Sequence, residues 1–486
     1  MISTQKQMCC KKTKIVATIG PASEKEETLL ALMQNGVDVI RINFSHLKEY
    51  SSVKKQIHLI RKINKENGFN TAILADLQGP KLRVGDIKEG VHLKKGDIIT
   101  FTNKKVAGDE KKIYLTYEQF AKDVKVGEQI LLDDGKLIFE CISTNKIDEV
   151  EARVIQGGPL KSRKGVNLPN TKVSLPALTQ KDKEDARFAI EEQVDWIALS
   201  FVRNATDLEG LQHLIKELSP DYNIPIISKI EKPEAIENID EIIQQSNAIM
   251  VARGDLGVEI PLEKVPLIQK GLVEKAKIAG IPVIIATQMM ESMIENLTPS
   301  RAEVNDVANS VLDGADALML SAETSVGKYP VEVITQMSKI IKEVEDDPRI
   351  SVPSHKPSIE KEETYSSDRM SHMATKLAGR AKAKAILILS DKDNRNVFQV
   401  SSHRPCGTYI VAYTNNRRHL NMLNLLWAVK AFFFDDFHNM DNLIEKMNQI
   451  AEENIPTLKK EDYIVNLYEM PSDKNKQTNT IMLSKL

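Results

Sequence analysis

The sequence predicts an α/β protein: a (β/α)8 barrel of the TIM type, with a small inserted β-barrel lid domain and a separate C-terminal α/β domain. Three observations predict it. Short apolar β-branched runs alternate with amphipathic stretches eight times. The alternation breaks once, after the third run, where turn dipeptides and short alternating segments take over. The runs end, on their C-terminal sides, in charged or hydroxyl residues, where such barrels carry their sites.

The first run, Lys14 to Ile19, ends in Gly20-Pro21-Ala22-Ser23. Ser23 with Glu26 reads as a capping box, so a helix is expected to open there and close near Asn35-Gly36. Val37 to Phe44 is the second strand, and a charged amphipathic helix follows to Asn67-Gly68. Thr71 to Asp76 is the third. Between about Gly85 and Lys172 the text changes to strands such as Ile98–Phe101, Gln129–Leu132 and Leu137–Cys141, with turns at Lys95-Gly96-Asp97 and Asp134-Gly135. The alternation resumes with strands Trp196–Val202, Pro225–Glu231, Ala248–Arg253, Pro282–Thr287 and Ala317–Ser321. A linker rich in Pro, Ser and Glu runs from Asp347 to about Thr364. Beyond it lie a helix from Ser371 to Ala381 and strands at Ala385, Tyr409, Ala431 and Tyr463. The expected domains are 1–84 with 173–345 for the barrel, 85–172 for the lid and 346–486 for the C-terminal unit.

Composition narrows the function. A net charge of -2 gives no global attraction to nucleic acid or anionic membrane. No apolar run approaches the roughly 18 residues that span a bilayer. Four scattered cysteines, Cys9, Cys10, Cys141 and Cys406, show neither metal-ligand spacing nor a disulfide framework. With a polar, basic start and no apolar signal segment, the chain reads as cytoplasmic.

The strand ends carry Thr18; Arg41, Asn43 and Ser45; Asp76; Ser200 and Arg203; Lys229 and Glu231; Arg253 and Asp255; Thr287; and Ser321 and Glu323. Each alone has a bland reading as a cap or turn residue, but their convergence on one rim does not. Lys229 and Glu231 lie two apart and share a strand face. Together with Asp255 they can hold a hard divalent cation and stabilise an anion beside it. Arg41 and Lys229, with Arg83 a further candidate, make the pocket cationic, which suits a small phosphorylated acid. The usual P-loop and dinucleotide fingerprints are absent, as is a zinc spacing.

These motifs resemble the pyruvate kinase family: Thr18-Ile-Gly-Pro-Ala-Ser23, Arg41-Ile-Asn-Phe-Ser-His46, Asp76-Leu-Gln-Gly-Pro-Lys-Leu-Arg83, Lys164-Gly-Val-Asn-Leu-Pro169, Lys229-Ile-Glu231, Arg253-Gly-Asp-Leu-Gly257, Thr287-Gln-Met289 and Ser321-Ala-Glu-Thr324. The resemblance implies phosphoryl transfer from phosphoenolpyruvate to ADP, giving pyruvate and ATP, in a homotetramer. It implies Mg2+ or Mn2+ on Glu231 and Asp255, and a second divalent ion arriving with the nucleotide. Lys229 would neutralise the transferring phosphoryl group and the enolate, and Arg41 would grip phosphoryl oxygens. Arg253, Gly254 and Asp255, through their backbone amides, and Thr287 would hold the carboxylate end, with Thr287 near the proton path. Thr18, His46 and Lys164 would line the nucleotide side.

Two departures qualify the resemblance. The family's K+ position would be formed by Asn43, Ser45, Asp76 and Leu77, but the Gly79-Pro80 segment continues with Lys81 instead of an acid. With Leu77, Gln78 and Val84 this is similar to the K+-independent branch, so Lys81 is expected to replace K+. The stretches matching the family's sugar-phosphate loop, Ser390–Arg395 and Met470–Thr478, lack glycine, and the first of them carries two acids, unfavourable for a phosphate nest; fructose bisphosphate activation is not expected. The alternative reading, a metal-dependent, enolate-forming barrel lyase, would share the Lys/Glu/Asp pocket but would need neither the lid nor Lys164-Gly-Val-Asn167.

Overall fold

The computed structural model describes residues 11–46, 49–347, 364–390, 394–435, 440–468 and 478–486. Cys9, Cys10, most of the linker, half of the loop Ser390–Arg395 and all but Thr478 of the loop Met470–Thr478 lie outside them. Eight parallel strands form a closed barrel: β1 (Lys14–Thr18), β2 (Val39–Asn43), β3 (Ala72–Asp76), β4 (Trp196–Leu199), β5 (Ile226–Ile230), β6 (Ala248–Ala252), β7 (Val283–Ala286) and β8 (Ala317–Leu320). Each neighbours the next in sequence, and β8 closes on β1.

The apolar runs are buried on both faces, as parallel strands between helices must be. One set of alternate residues, including Ile15, Ile40, Ile73, Ile197 and Ile285, packs outward against the helices. The other set fills the interior: Val16, Val39, Leu74, Trp196, Ala198, Ile227, Met250, Ile284 and Met319. The period of two then carries the interior set one step further along each strand. Val16 leads to Thr18, Val39 to Arg41, Leu74 to Asp76, Ala198 to Ser200 and Ile227 to Lys229. The polar residues at the mouth therefore continue the core stripe at the end where it meets solvent.

The helix after β1 starts at Glu26, capped by Lys25 without a side-chain bond. Ser23 is not its N-cap. Its hydroxyl accepts from the Gly20 amide at 3.2 Å, and its own amide donates back to the Gly20 carbonyl at 2.8 Å. The local turn wins because Ser23 is fully buried beneath it.

The segment after β3 forms a six-stranded sheet and a two-stranded pair. Single bridges from Arg83 to Gly165 and from Val84 to Leu115 tie its edges, curling the sheet around Phe101, Phe120 and Phe139. Chain enters near Gly79–Arg83 and returns near Thr171–Leu175. On the return, the Arg203 guanidinium donates to the Val173 carbonyl at 2.5 Å.

The last unit is a five-stranded sheet whose final strand, Thr480–Lys485, runs antiparallel to Tyr463–Tyr468. That strand escaped the sequence reading. The C-terminal unit sits against the end opposite the barrel mouth: Trp196 donates to the Met422 carbonyl at 3.1 Å, and Arg404 donates to Asp316 and to the Gly314 carbonyl. Of the run Phe432-Phe433-Phe434, the first two end the strand Val429–Phe433 half-buried, and Phe434 is buried just past it. No described helix is long and apolar enough to cross a membrane.

Candidate active site

Strand register places the first contacts. Thr18 pairs with Arg41 across β1 and β2, and Asn43 with Asp76 across β2 and β3. Arg41 donates from Nε to Asp76 Oδ2 at 2.7 Å and from Nη1 to Thr18 Oγ1 at 2.9 Å. From β5, the Lys229 ammonium lies 2.9 Å from Glu231 Oε1 and 3.3 Å from Asp76 Oδ1, and donates to Ser200 Oγ at 2.8 Å. Ser200 in turn donates to the Leu77 carbonyl at 2.7 Å. Glu231 Oε2 accepts from the Phe201 amide at 2.8 Å. Five strand ends thus converge on one buried network of two cations and two carboxylates.

The charges set one another. Burial alone would raise Asp76, but Lys229 and Arg41 outweigh it and hold the carboxyl below its ordinary range. Burial likewise opposes the charged Lys229, yet Asp76 and Glu231, with Asp255 further off, keep its ammonium firmly protonated. Glu231 is pushed upward, first by burial and then by the negative charge of Asp255, against the pull of Lys229. Asp255, half-buried near the start of the helix Arg253–Glu259, is close enough for its negative charge to oppose ionisation of Glu231. Among the described residues no group of three or more His, Cys, Asp or Glu could hold a metal ion. A two-carboxylate set suits a hard ion that keeps positions for water and substrate oxygens.

The loop after β7 is strained. Thr287 and Gln288 have φ of 69° and 57°, in the left-handed region that a β-branched residue avoids. Arg253 holds it there. Its side chain does not enter the mouth but donates to the Thr287 and Gln288 carbonyls at 2.8 and 3.2 Å, anchored on Asp306 at 2.7 Å. The Thr287 hydroxyl accepts from the Gly254 amide at 2.7 Å, so that amide is already engaged. A side chain on Gly254 would stand 3.2 Å from the same hydroxyl. Glu323 is spent on backbone, accepting from the Ser321 and Met290 amides at 2.7 and 3.3 Å.

Other expected residues fall further out. Lys164 pairs with Asp133 at 2.9 Å inside the inserted domain. Arg83 donates to the Arg163 carbonyl at 3.2 Å there and does not join Arg41. Lys81 is exposed, and lines a cleft with Asp134, Gly165, Phe201, Lys232 and Asp255. No hydrogen bond or ion pair among the described residues links it to Asn43, Ser45 or Asp76. Asn43 accepts from the Ser45 amide at 3.0 Å. His46 closes a short 3-10 turn after β2, and its side chain lies outside what the structure describes. The Asp134-Gly135 turn joins two strands of the inserted sheet, and Asp134 also faces this cleft.

A closed barrel with a cationic, carboxylate-bearing mouth and a β domain over it defines a barrel enzyme for small anionic substrates. The family model for the pyruvate kinase barrel domain matches residues 10–334, and that for the pyruvate kinase alpha/beta domain matches 368–484. The pyruvate kinase of Corynebacterium glutamicum is 39% identical over 474 residues, covering 97% of each chain. That of Mycobacterium tuberculosis is 37% identical over 478 residues, covering 98% of each. A crystal structure of a pyruvate kinase from Cryptosporidium parvum superposes with a TM-score of 0.89 at 31% identity, covering 100% of this chain and 98% of that one. The chain belongs to the pyruvate kinase family, and is a phosphotransferase.

The sequence located the strand ends but missed three participants. The Phe201 amide has no side-chain signature. Asn167 donates from its side-chain amide to Glu259 Oε1 at 2.8 Å across domains, which spacing along one chain does not reveal. The bracing role of Arg253 was legible only as a charge at a strand end.

Proposed function

We propose that the barrel mouth transfers the phosphoryl group of phosphoenolpyruvate to ADP, with Lys229 at the centre of the chemistry. The observation that carries this is the Lys229 ammonium, buried and charged, held between Glu231 and Asp76. Phosphoryl transfer needs positioning and charge compensation more than covalent catalysis. Arg41, oriented by Asp76 and Thr18, grips phosphoryl oxygens. Lys229 balances the negative charge that moves from the bridging oxygen onto the enolate. Thr287, fixed by Arg253, stands at the carboxylate end beside Gly254 and Asp255 and near the path by which the enolate carbon gains its proton. Thr18, His46 and Lys164 serve the nucleotide.

Glu231 and Asp255 fit a divalent ion, Mg2+ or Mn2+, which when bound supplies charge neutralisation and orients substrate oxygens; a second accompanies ADP. Activity without K+ belongs to the same reading and rests on the sequence Gly79-Pro80-Lys81, in which Lys81 stands in for K+ at the Asn43, Ser45, Asp76 and Leu77 position, although its ammonium is exposed in the neighbouring cleft. Leu262 and Leu267 are 71% and 74% exposed on the barrel's flank, which supports self-association, to a homotetramer in this reading. The location in this reading is cytoplasmic.

The test is pyruvate formation from phosphoenolpyruvate with and without ADP, with Mg2+ present. ADP-dependent pyruvate and matching ATP are expected. Pyruvate released with inorganic phosphate at the same rate without ADP would mean that water is the acceptor, and would contradict transfer to ADP; no pyruvate from phosphoenolpyruvate under either condition would leave the enolate-forming lyase as the better reading.

A further inference from the structure

The short helix Arg253–Glu259 carries Asp255 near its start and Glu259 at its end. Glu259 is 5% exposed. Its Oε1 accepts two hydrogen bonds: from Lys232 Nζ at 2.7 Å and from Asn167 Nδ2 at 2.8 Å. Its Oε2 is buried and has no partner. Lys232 follows Glu231 directly in the chain. Asn167 belongs to the inserted domain, on the strand Val166–Asn167 that begins two residues after Lys164. That strand pairs with Gln129–Leu132, just before Asp133 and Asp134. One carboxylate therefore links three pieces: the end of β5, the helix bearing Asp255, and the part of the inserted domain that bears Lys164.

We propose that Glu259 is a positioning residue that latches the inserted domain onto the barrel through Asn167. This rests on the reading of the mouth as a phosphoryl-transfer site. A buried carboxylate with one free oxygen is short of donors, and each donor it gains is worth more there than in water. The Asn167 amide is a donor that the barrel lacks and the inserted domain brings. When the domain swings away, Glu259 keeps only Lys232, and the charged rim opens to solvent. When it closes, Lys164 is delivered beside the rim, and the helix carrying Asp255 is fixed at its far end. The closed state thus assembles the nucleotide side and the carboxylate side together. A hydrogen bond to a charged acceptor biases such an equilibrium by roughly ten- to a hundredfold.

The test is a double-mutant cycle on the full-length protein with Asn167→Asp, Asn167→Ala, Glu259→Gln and the double variant Asn167→Asp/Glu259→Gln. Asn167→Asp keeps the shape and replaces the donor by a second carboxylate. Asn167→Ala merely removes the donor. The double variant restores an amide–carboxylate pair with the roles exchanged. Two readouts are taken: kcat and KM for both substrates, and the rate of tryptic cleavage at Arg83 and Lys172, in the crossing segments, which needs no turnover.

The expected order of damage to kcat/KM is Asn167→Asp worse than Asn167→Ala, the latter losing about tenfold. The double variant should recover at least threefold over Asn167→Asp. Cleavage should speed up in the single variants and slow again in the double one, with melting temperatures alike. Damage greater in Asn167→Ala than in Asn167→Asp, or single effects that simply multiply in the double variant, would overturn the latch. If the wild-type chain forms no ADP-dependent pyruvate, the functional reading fails, and the cleavage cycle alone decides the latch.

Discussion

Replacing Lys229 by Met removes a charge while keeping most of the side-chain volume. In the folded chain that ammonium sits 2.9 Å from Glu231, 3.3 Å from Asp76 and 2.8 Å from Ser200 Oγ. The three partners fare differently when it goes. Asp76 retains Arg41 at 2.7 Å, and Ser200 retains the Leu77 carbonyl at 2.7 Å. Glu231 loses the one cation that pairs with it among the described residues and keeps the Phe201 amide; already raised by burial and by Asp255, it rises further. Stripping one partner from a buried ion pair costs about 3–5 kcal/mol. The network's second cation, and proton uptake by Glu231, place this variant at the low end of that range. The sign in pH follows. A glutamate with a raised folded-state pKa stabilises the fold below its ordinary pKa, and that contribution is lost as pH rises through the folded value. The variant should therefore lose stability with rising pH more than the parent does.

Catalysis should suffer more selectively. A preorganised group aimed at developing charge is worth about 10²–10³ in kcat, or about 2.7–4 kcal/mol. In the proposed reading, ground-state grip on the phosphoryl oxygens rests mainly on Arg41, which the substitution leaves in place. Steady-state kinetics should show kcat falling at least a hundredfold, with KM for phosphoenolpyruvate changing less than about tenfold. Equal losses in kcat and in binding, or a change in KM alone, would refute the assignment of Lys229 to the transition state.

Turnover should be equal in buffers with and without K+, and Lys81→Glu should acquire a monovalent-ion requirement; a tenfold activation of the parent by K+ would remove Lys81 from that role. Lys277 lies buried between the barrel and the C-terminal unit, where burial and then Arg404 lower its pKa from 10.5 to about 8. Its folded value lies below its unfolded one. The folded chain thus binds fewer protons between about 8 and 10.5, and stability should rise with pH across that window. Urea unfolding should find Lys277→Met more stable than the parent at pH 7, with the advantage shrinking by pH 9.5; an advantage independent of pH would contradict the titration.

Much of this protein was legible in its sequence because its strands are short, apolar and buried on both faces. Runs such as Ile226–Ile230 and Ala248–Ala252 have no competing reading once the helices between them are seen. The period of two also told which residues would reach the mouth, since Lys229 and Glu231 extend the stripe begun by Ile227. What failed was what depends on neighbours distant in sequence. Ser23 obeyed the capping rule on paper, but the turn at Gly20 used its hydroxyl instead. Arg253 was expected to serve through its backbone amide, and nothing in the sequence showed that its side chain braces the carbonyls of a strained Thr287-Gln288 corner. The strand Thr480–Lys485 is half polar and packs along an edge, so it lacked the apolar signature of the others. Asn167 and Glu259 lie 92 positions apart, and only the folded chain brings them together.

The central claim is that Glu231 and Asp255 jointly hold one divalent ion beside Lys229. Mn2+ binding, followed by the paramagnetic signal of the free ion, tests it without any need for turnover. The parent should bind one Mn2+ per chain in the absence of nucleotide, and Glu231→Gln and Asp255→Asn should each weaken that binding at least tenfold while leaving the fold intact. Undiminished binding in either variant would contradict the account.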